Sequence, residues 1–180
     1  PNERATPAPP ANPPAAQSRN PAAAAQERQT GVLGTIPATE LPGSEGQAYS
    51  YARQLQANGR LAEAEAAFTE FLRVYPNGET SLDARYLLAF TMLARHNYRD
   101  ARDNFIVYLQ AAPRGPRAPE AQVRLGMAFV GLAQDGANND AAELRQACSA
   151  FASLPRQFPN APRYVRDLAT REAQGARCPA

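Results

Sequence analysis

Lysine and tryptophan are absent from this 180-residue chain, histidine occurs once, and cysteine and methionine occur twice each. Without lysine there is no P-loop amine, no Schiff-base nucleophile and no Ser-Lys dyad. The 19 positive side chains are all arginine and face 17 carboxylates, a net +2, so no nucleic acid or anionic lipid surface is expected as partner. No apolar run approaches the roughly 20 residues of a bilayer span, so no membrane insertion is expected. No charged-then-apolar leader opens the sequence, and its first residue is read as a processed or cut end. Gly-x-Ser-x-Gly, His-Glu-x-x-His, dinucleotide glycines and paired Cys-x-x-Cys are all missing. Two cysteines and one distant histidine cannot complete a four-ligand zinc site. The expectation is therefore no catalytic residue, no metal, no cofactor and no enzyme.

What is present is uneven. A 44% hydrophobic share suits a folded protein, but a mean hydropathy of −0.49 says that part of the chain is not packed. Nine of the 17 prolines lie in residues 1–43, among alanine, glutamine and asparagine. Prolines remove backbone donors and alanines bury little area, so this stretch is read as a disordered Pro/Ala-rich linker. Val32, Leu33 and Ile36 form a small apolar island in it, expected to stay undocked.

From Ser44 the pattern turns helical. Tyr49, Tyr51, Ala52 and Leu55 have the spacing of an amphipathic stripe, with Ser44 as N-cap and Gln47 completing a capping box. Asn58-Gly59 stops this helix, and a second runs from Leu61 to Tyr75-Pro76. The hairpin then recurs. Pro76, Pro113 and Pro159 each close a helix, with Ala64, Ala101 and Ala147 twelve residues earlier. Phe68, Phe105 and Phe151 align, as do Phe71, Tyr108 and Leu154. In the preceding helices Tyr49, Ala52 and Leu55 match Tyr86, Ala89 and Met92, then Val123, Gly126 and Phe129. The periods are 37 residues (76 to 113) and 46 (113 to 159), against about 34 for a tetratricopeptide repeat. The nine extra residues are placed in Gln134–Asn139 and the helix start beyond it.

The expected fold is all-α: an α-solenoid of three tetratricopeptide (TPR) repeats at about 45–76, 81–113 and 118–159. A capping helix at about 161–174 follows, completing a TPR domain over 44–178. Arg163, Arg166, Asp167, Arg171 and Glu172 would form the polar outer face of the cap. Stacked hairpins leave a concave surface built by their first helices. Arg53, Phe90 and Met127, one residue after the small column, are read as a groove strip, as are Tyr49, Tyr86 and Val123, three before it. The latter column also fits packing between repeats. Arg85, Arg95 and Arg124 are candidates to steer an acidic partner. Glu63, Glu65 and Glu70 are read as solvated helix-face charges, and His96 as a polar turn residue where the first repeat has Gly59.

The run Ala48-Tyr-Ser-Tyr-Ala52, with Ala64-Glu-Ala-Ala-Phe68 and Phe71-Leu-Arg-Val-Tyr75-Pro76-Asn, resembles the C-terminal domain of the Tol-Pal-associated periplasmic family, the cell division coordinators (YbgF/CpoB). Tyr98-Arg-Asp-Ala101 with Phe105, Gln146-Ala-Cys148 with Phe151, and the terminal Ala176-Arg-Cys178 are similar to the same family. The resemblance spans about residues 44–178. It implies a non-catalytic periplasmic adaptor that binds TolA, and a bifunctional penicillin-binding protein as a further partner. Such an adaptor links outer-membrane constriction to septal peptidoglycan synthesis. Family members also carry a signal peptide and an N-terminal trimerising coiled coil, so a trimer is expected only with that upstream segment. Alternative readings are an outer-membrane assembly lipoprotein scaffold and an accessory domain of a peptidoglycan-processing enzyme. Cys148 and Cys178 fit free thiols, a redox couple or a structural disulfide. The oxidising compartment implied by the resemblance favours the bridge.

Overall fold

The computed structural model describes residues 41–135 and 141–179. Among them are seven helices and no strand: α1 (Glu45–Ala57), α2 (Leu61–Val74), α3 (Ser81–Ala94), α4 (Tyr98–Ala111), α5 (Ala118–Asp135), α6 (Ala141–Gln157) and α7 (Arg163–Gly175). Three antiparallel pairs, α1–α2, α3–α4 and α5–α6, stack in chain order and α7 closes the stack. This is the α-solenoid expected. The linker read at 1–43, with its apolar island, lies outside the described residues up to position 40. Leu41, assigned to that linker, is buried in the core.

Local chemistry explains the helix ends. Ser44 has extended backbone, and its hydroxyl accepts the Gln47 N–H at 3.3 Å while donating to Gln47 Oε1 at 3.0 Å. After α1 the chain reverses through Gly59 at φ +73°, and after α3 through His96 at φ +62°. The two positions are one period of 37 residues apart, so the same left-handed turn is met by glycine once and by histidine once. A histidine there is strained by its Cβ, and its Nδ1 shares a hydrogen bond with the Tyr98 hydroxyl. His96→Gly is expected to stabilise the protein by about 0.5–1 kcal/mol, which raises Tm by roughly 2–4 °C. A fall in Tm would mean that the bond to Tyr98 outweighs the strain.

The matched columns are where the pairs meet. Ala64, Ala101 and Ala147 are all fully buried. Ala52 and Ala89 are too, and the third member of that column shows why it must be small: a Cβ on Gly126 would lie 2.4 Å from the Phe151 ring. Phe68, Phe71 and Phe105 fill the space that these small residues open, each burial contributing roughly 1.5–3 kcal/mol. Polar links tie successive pairs. Glu45 at the start of α1 accepts from the Thr80 N–H and hydroxyl, both at 2.8 Å, so one carboxylate also caps α3. Gln56 reaches from α1 to Thr91 Oγ1 (2.6 Å) and the Leu87 carbonyl (3.2 Å) on α3.

The third pair is longer, but not chiefly in its loop. α5 has 18 residues against 14 in α3, and α6 has 17 against 14 in α4, so most of the insertion extends helices. The connection at 136–140 lies outside the described residues. Pro155 sits in the last turn of α6, where its missing N–H removes a single helix bond, to the Phe151 carbonyl. On α7, Arg163, Arg166, Asp167 and Arg171 are exposed as a capping face requires, and Glu172 is half-buried.

Two of the three acidic residues read as solvated are not. Glu65 is 0% and Glu70 1% exposed. Arg95 reaches back from the end of α3 to pair with Glu65 on α2, leaving Glu65 Oε1 without a hydrogen-bond partner. Glu70 is paired within its own helix by Arg73 at 2.6 and 2.7 Å, and those bonds hold its carboxyl below the usual range. Glu63 is exposed and pairs with Arg60.

Candidate functional site

The first helices of the pairs touch one another directly, α1 with α3, α3 with α5, and α5 with α7, whereas the second helices make no comparable mutual contact. The row that closes up is the inner row of a curved stack, which places the groove on α1, α3 and α5. A chain of polar and aromatic side chains runs along it. The Tyr49 hydroxyl donates to one oxygen of Asp83 and Arg117 donates to the other. The Arg117 guanidinium lies over the Tyr86 ring, 4.8 Å from its centroid. Arg124 donates to the Tyr86 hydroxyl at 3.2 Å, stacks over Phe90 at 4.3 Å and bonds Glu120 Oε1 at 2.7 Å. Tyr164 on α7 meets the other Glu120 oxygen at 3.5 Å.

Burial, then the hydrogen bond and the charge of Asp83, push Tyr49 up to about 12. Burial likewise raises Tyr86 well above its ordinary value, over the opposing charge of Arg124. Both phenols stay protonated at physiological pH. Each carboxylate of the network is met by an arginine, so the face reads as stacked guanidinium and aromatic planes. Such surfaces favour protein contact, where aromatic and arginine side chains carry much of the binding energy.

The two sequence columns fare differently. Arg53 is exposed, and Phe90 and Met127 are half-buried with surface left to offer. Tyr49 is half-buried and packs its ring 6.0 Å from that of Phe71. Tyr86 and Val123, read as groove residues, are 2% and 0% exposed. Tyr86 is wedged between the Phe105 and Tyr108 rings at 6.0 and 5.7 Å, and Val123 packs with Phe151, Leu154 and Val165. These two hold neighbouring helices together and have no side-chain surface for a partner. Arg95, a candidate for steering, is committed to Glu65, and Arg124 to Glu120. Among the described residues Arg85 reaches Asn104, at 3.4 Å, and no carboxylate.

Asp83, Arg117, Glu120 and Tyr164 were not singled out by sequence. A signal existed: Asp83 and Glu120 share one column, three residues before Tyr86 and Val123. Among the described residues, no group of three His, Cys, Asp or Glu side chains could hold a metal, and no helix is long and apolar enough to cross a membrane. At the far end, Cys148 on α6 and Cys178 after α7 are joined by a disulfide, Cα–Cα 5.4 Å. Residues 42–174 match the family model described as YfiO, outer membrane lipoprotein. No curated protein matches the chain.

Proposed function

The chain belongs to the YfiO outer membrane lipoprotein family, and from that premise we propose a non-catalytic periplasmic adaptor that holds a segment of a partner protein along the inner face of α1, α3 and α5. The family and the stacked helical pairs support a helical-repeat interaction scaffold of the cell envelope. The observation that carries it is the inner face itself, with Arg53 exposed and Phe90 and Met127 partly exposed beside a polar network that links successive helices. A disulfide that ties the last repeat to the segment after the capping helix fits an oxidising compartment.

TolA is the first partner to test, because the sequence resembles the cell division coordinators. In that role the protein would couple outer-membrane constriction to septal peptidoglycan synthesis, with a bifunctional penicillin-binding protein as second partner. The family match supports a second reading, a scaffold in outer-membrane assembly. Calorimetric titration of the full chain with the periplasmic part of TolA distinguishes them. Binding in the micromolar range is expected, weakened about tenfold by Phe90→Ala and about threefold by Arg53→Ala. Unchanged affinity in both variants discards the inner face. No binding to TolA, with binding to an outer-membrane assembly component, selects the second reading.

A further inference from the structure

α7 is built like the opening helix of a further hairpin. After it the chain turns through Arg177 at φ +56°, as it turns through Gly59 and His96 after α1 and α3. The hydrogen bonds of the turn are the same as well. Arg177 N–H meets the Gln174 carbonyl at 3.0 Å and Cys178 N–H that of Ala173 at 2.9 Å. Gly59 and Arg60 bond Gln56 and Leu55 in this way after α1, and His96 and Asn97 bond Leu93 and Met92 after α3. The tie back to the preceding pair also recurs. Arg95, next to His96, pairs with Glu65 on α2, and Cys178, next to Arg177, is bonded to Cys148 on α6, each across 30 residues.

Counted back from these turns, Ala52, Ala89 and Thr170 share one column, and Leu55, Met92 and Ala173 another. On α1 and α3 both columns are buried, and the small residue of α5, Gly126, lies against Phe151 of its second helix. On α7 Thr170 is exposed and Ala173 half-buried. The face that the earlier hairpins cover is open here. It borders a cleft of about 540 Å³ between α6 and α7. Phe151, Ala152 and Pro155 line it from α6, Thr170 and Ala173 from α7, and both cysteines of the disulfide border it.

The other pairs show what fits such a face: a helix with large apolar side chains over the small column, as α2 and α4 bring Phe68 and Phe105. The charge around the cleft selects its sign. Residues 141–179 carry six arginines against Glu143, Asp167 and Glu172. Arg166 lines the cleft, donates to the Ala161 carbonyl and meets no carboxylate among the described residues. A second copy fits less well, because its own α7 would bring three arginines against two carboxylates.

We propose that the α6–α7 cleft takes an acidic amphipathic helix of a partner protein, which completes a fourth hairpin with α7. Large apolar side chains of that helix rest on Thr170 and Ala173, and a carboxylate on its flank pairs with Arg166. The cleft shares no residue with the inner strip of Arg53, Phe90 and Met127, so the two sites are tested separately.

Fluorescence anisotropy with the full chain tests this, using a labelled peptide with the sequence of residues 61–74, held helical by a lactam on its polar side. That sequence already serves as a second helix, with Phe68 and Phe71 on one face and three glutamates against one arginine. Micromolar binding is expected, at least about tenfold weaker for a peptide with alanine in place of both phenylalanines. Ala173→Trp, which fills the cleft from α7, weakens the parent peptide at least about tenfold. Arg166→Ala weakens it about threefold and leaves unchanged the affinity of a version with glutamine for glutamate. Phe90→Ala, on the inner face, has no effect. No binding of the parent peptide, equal binding of the alanine version, or an affinity unmoved by Ala173→Trp overturns the proposal. So does a dimer in sedimentation that Ala173→Trp dissolves, which gives the cleft to a second copy.

Discussion

Arg95→Ala is expected to lower the unfolding free energy by about 3 kcal/mol, the cost of leaving a carboxylate inside the stack without its cation. Glu65 is 0% exposed and already has one oxygen without a hydrogen-bond partner, so no neighbouring donor stands ready to replace the guanidinium. Arg95 retains a fifth of its side-chain surface, which places the effect at the lower end for buried pairs. Chemical denaturation monitored by circular dichroism reads it directly. The double substitution Glu65→Leu with Arg95→Ala removes the carboxylate while the alkyl stem of Arg95 stays absent, and so separates charge from packing. If the uncompensated carboxylate is the cause, the apolar pair recovers most of the loss. If the double variant is as unstable as Arg95→Ala, the missing alkyl packing of Arg95 is responsible instead.

Loss of the disulfide is expected to remove about 3–4 kcal/mol and to act first on the cap. Cys148 and Cys178 close a loop with a sequence separation of 30, for which the chain-entropy relation gives that magnitude. α7 buries only Val165 and Ala169 fully, so without the covalent tie its hold on α5 and α6 is the weakest in the stack. Cys148→Ser with Cys178→Ser, or reduction by a dithiol, should lower the thermal midpoint and raise amide exchange in α7 well before α1–α4. Unchanged protection of α7 would show that packing alone holds the cap. The pairing also has a direct check, because the denatured, unreduced protein should show no titratable thiol.

Legibility follows the range of the interactions. Small residues at Ala64, Ala101 and Ala147 and aromatics at Phe68, Phe105 and Phe151 recur because each hairpin solves the same packing problem, so their burial could be read from the spacing. The Ser44 cap and the Gly59 turn were legible because they depend on a few adjacent residues. The equivalence of His96 to Gly59 held even to the sign of φ. Glu65 and Glu70 were misread as solvated. The partner of Glu65 is thirty residues away on another helix, and nothing local distinguishes it from a surface glutamate. The column of Tyr49, Tyr86 and Val123 failed as groove residues at its second and third members. How far one helix leans on the next decides which column meets solvent, and that lean is set by Phe105, Tyr108 and Phe151 together.

By itself the sequence determined the helical class, the three-fold repetition and the small–large columns, because periodicity and turn chemistry act over a few residues and are written again in each repeat. Only the tertiary structure decided which arginines are spent on buried or network carboxylates, Arg95, Arg117 and Arg124 among them, and that Arg53 lies over an aromatic ring instead. The Arg95–Glu65 and Arg117–Asp83 pairs join residues 30 and 34 positions apart, and a linear pattern does not record which of several possible partners a guanidinium reaches.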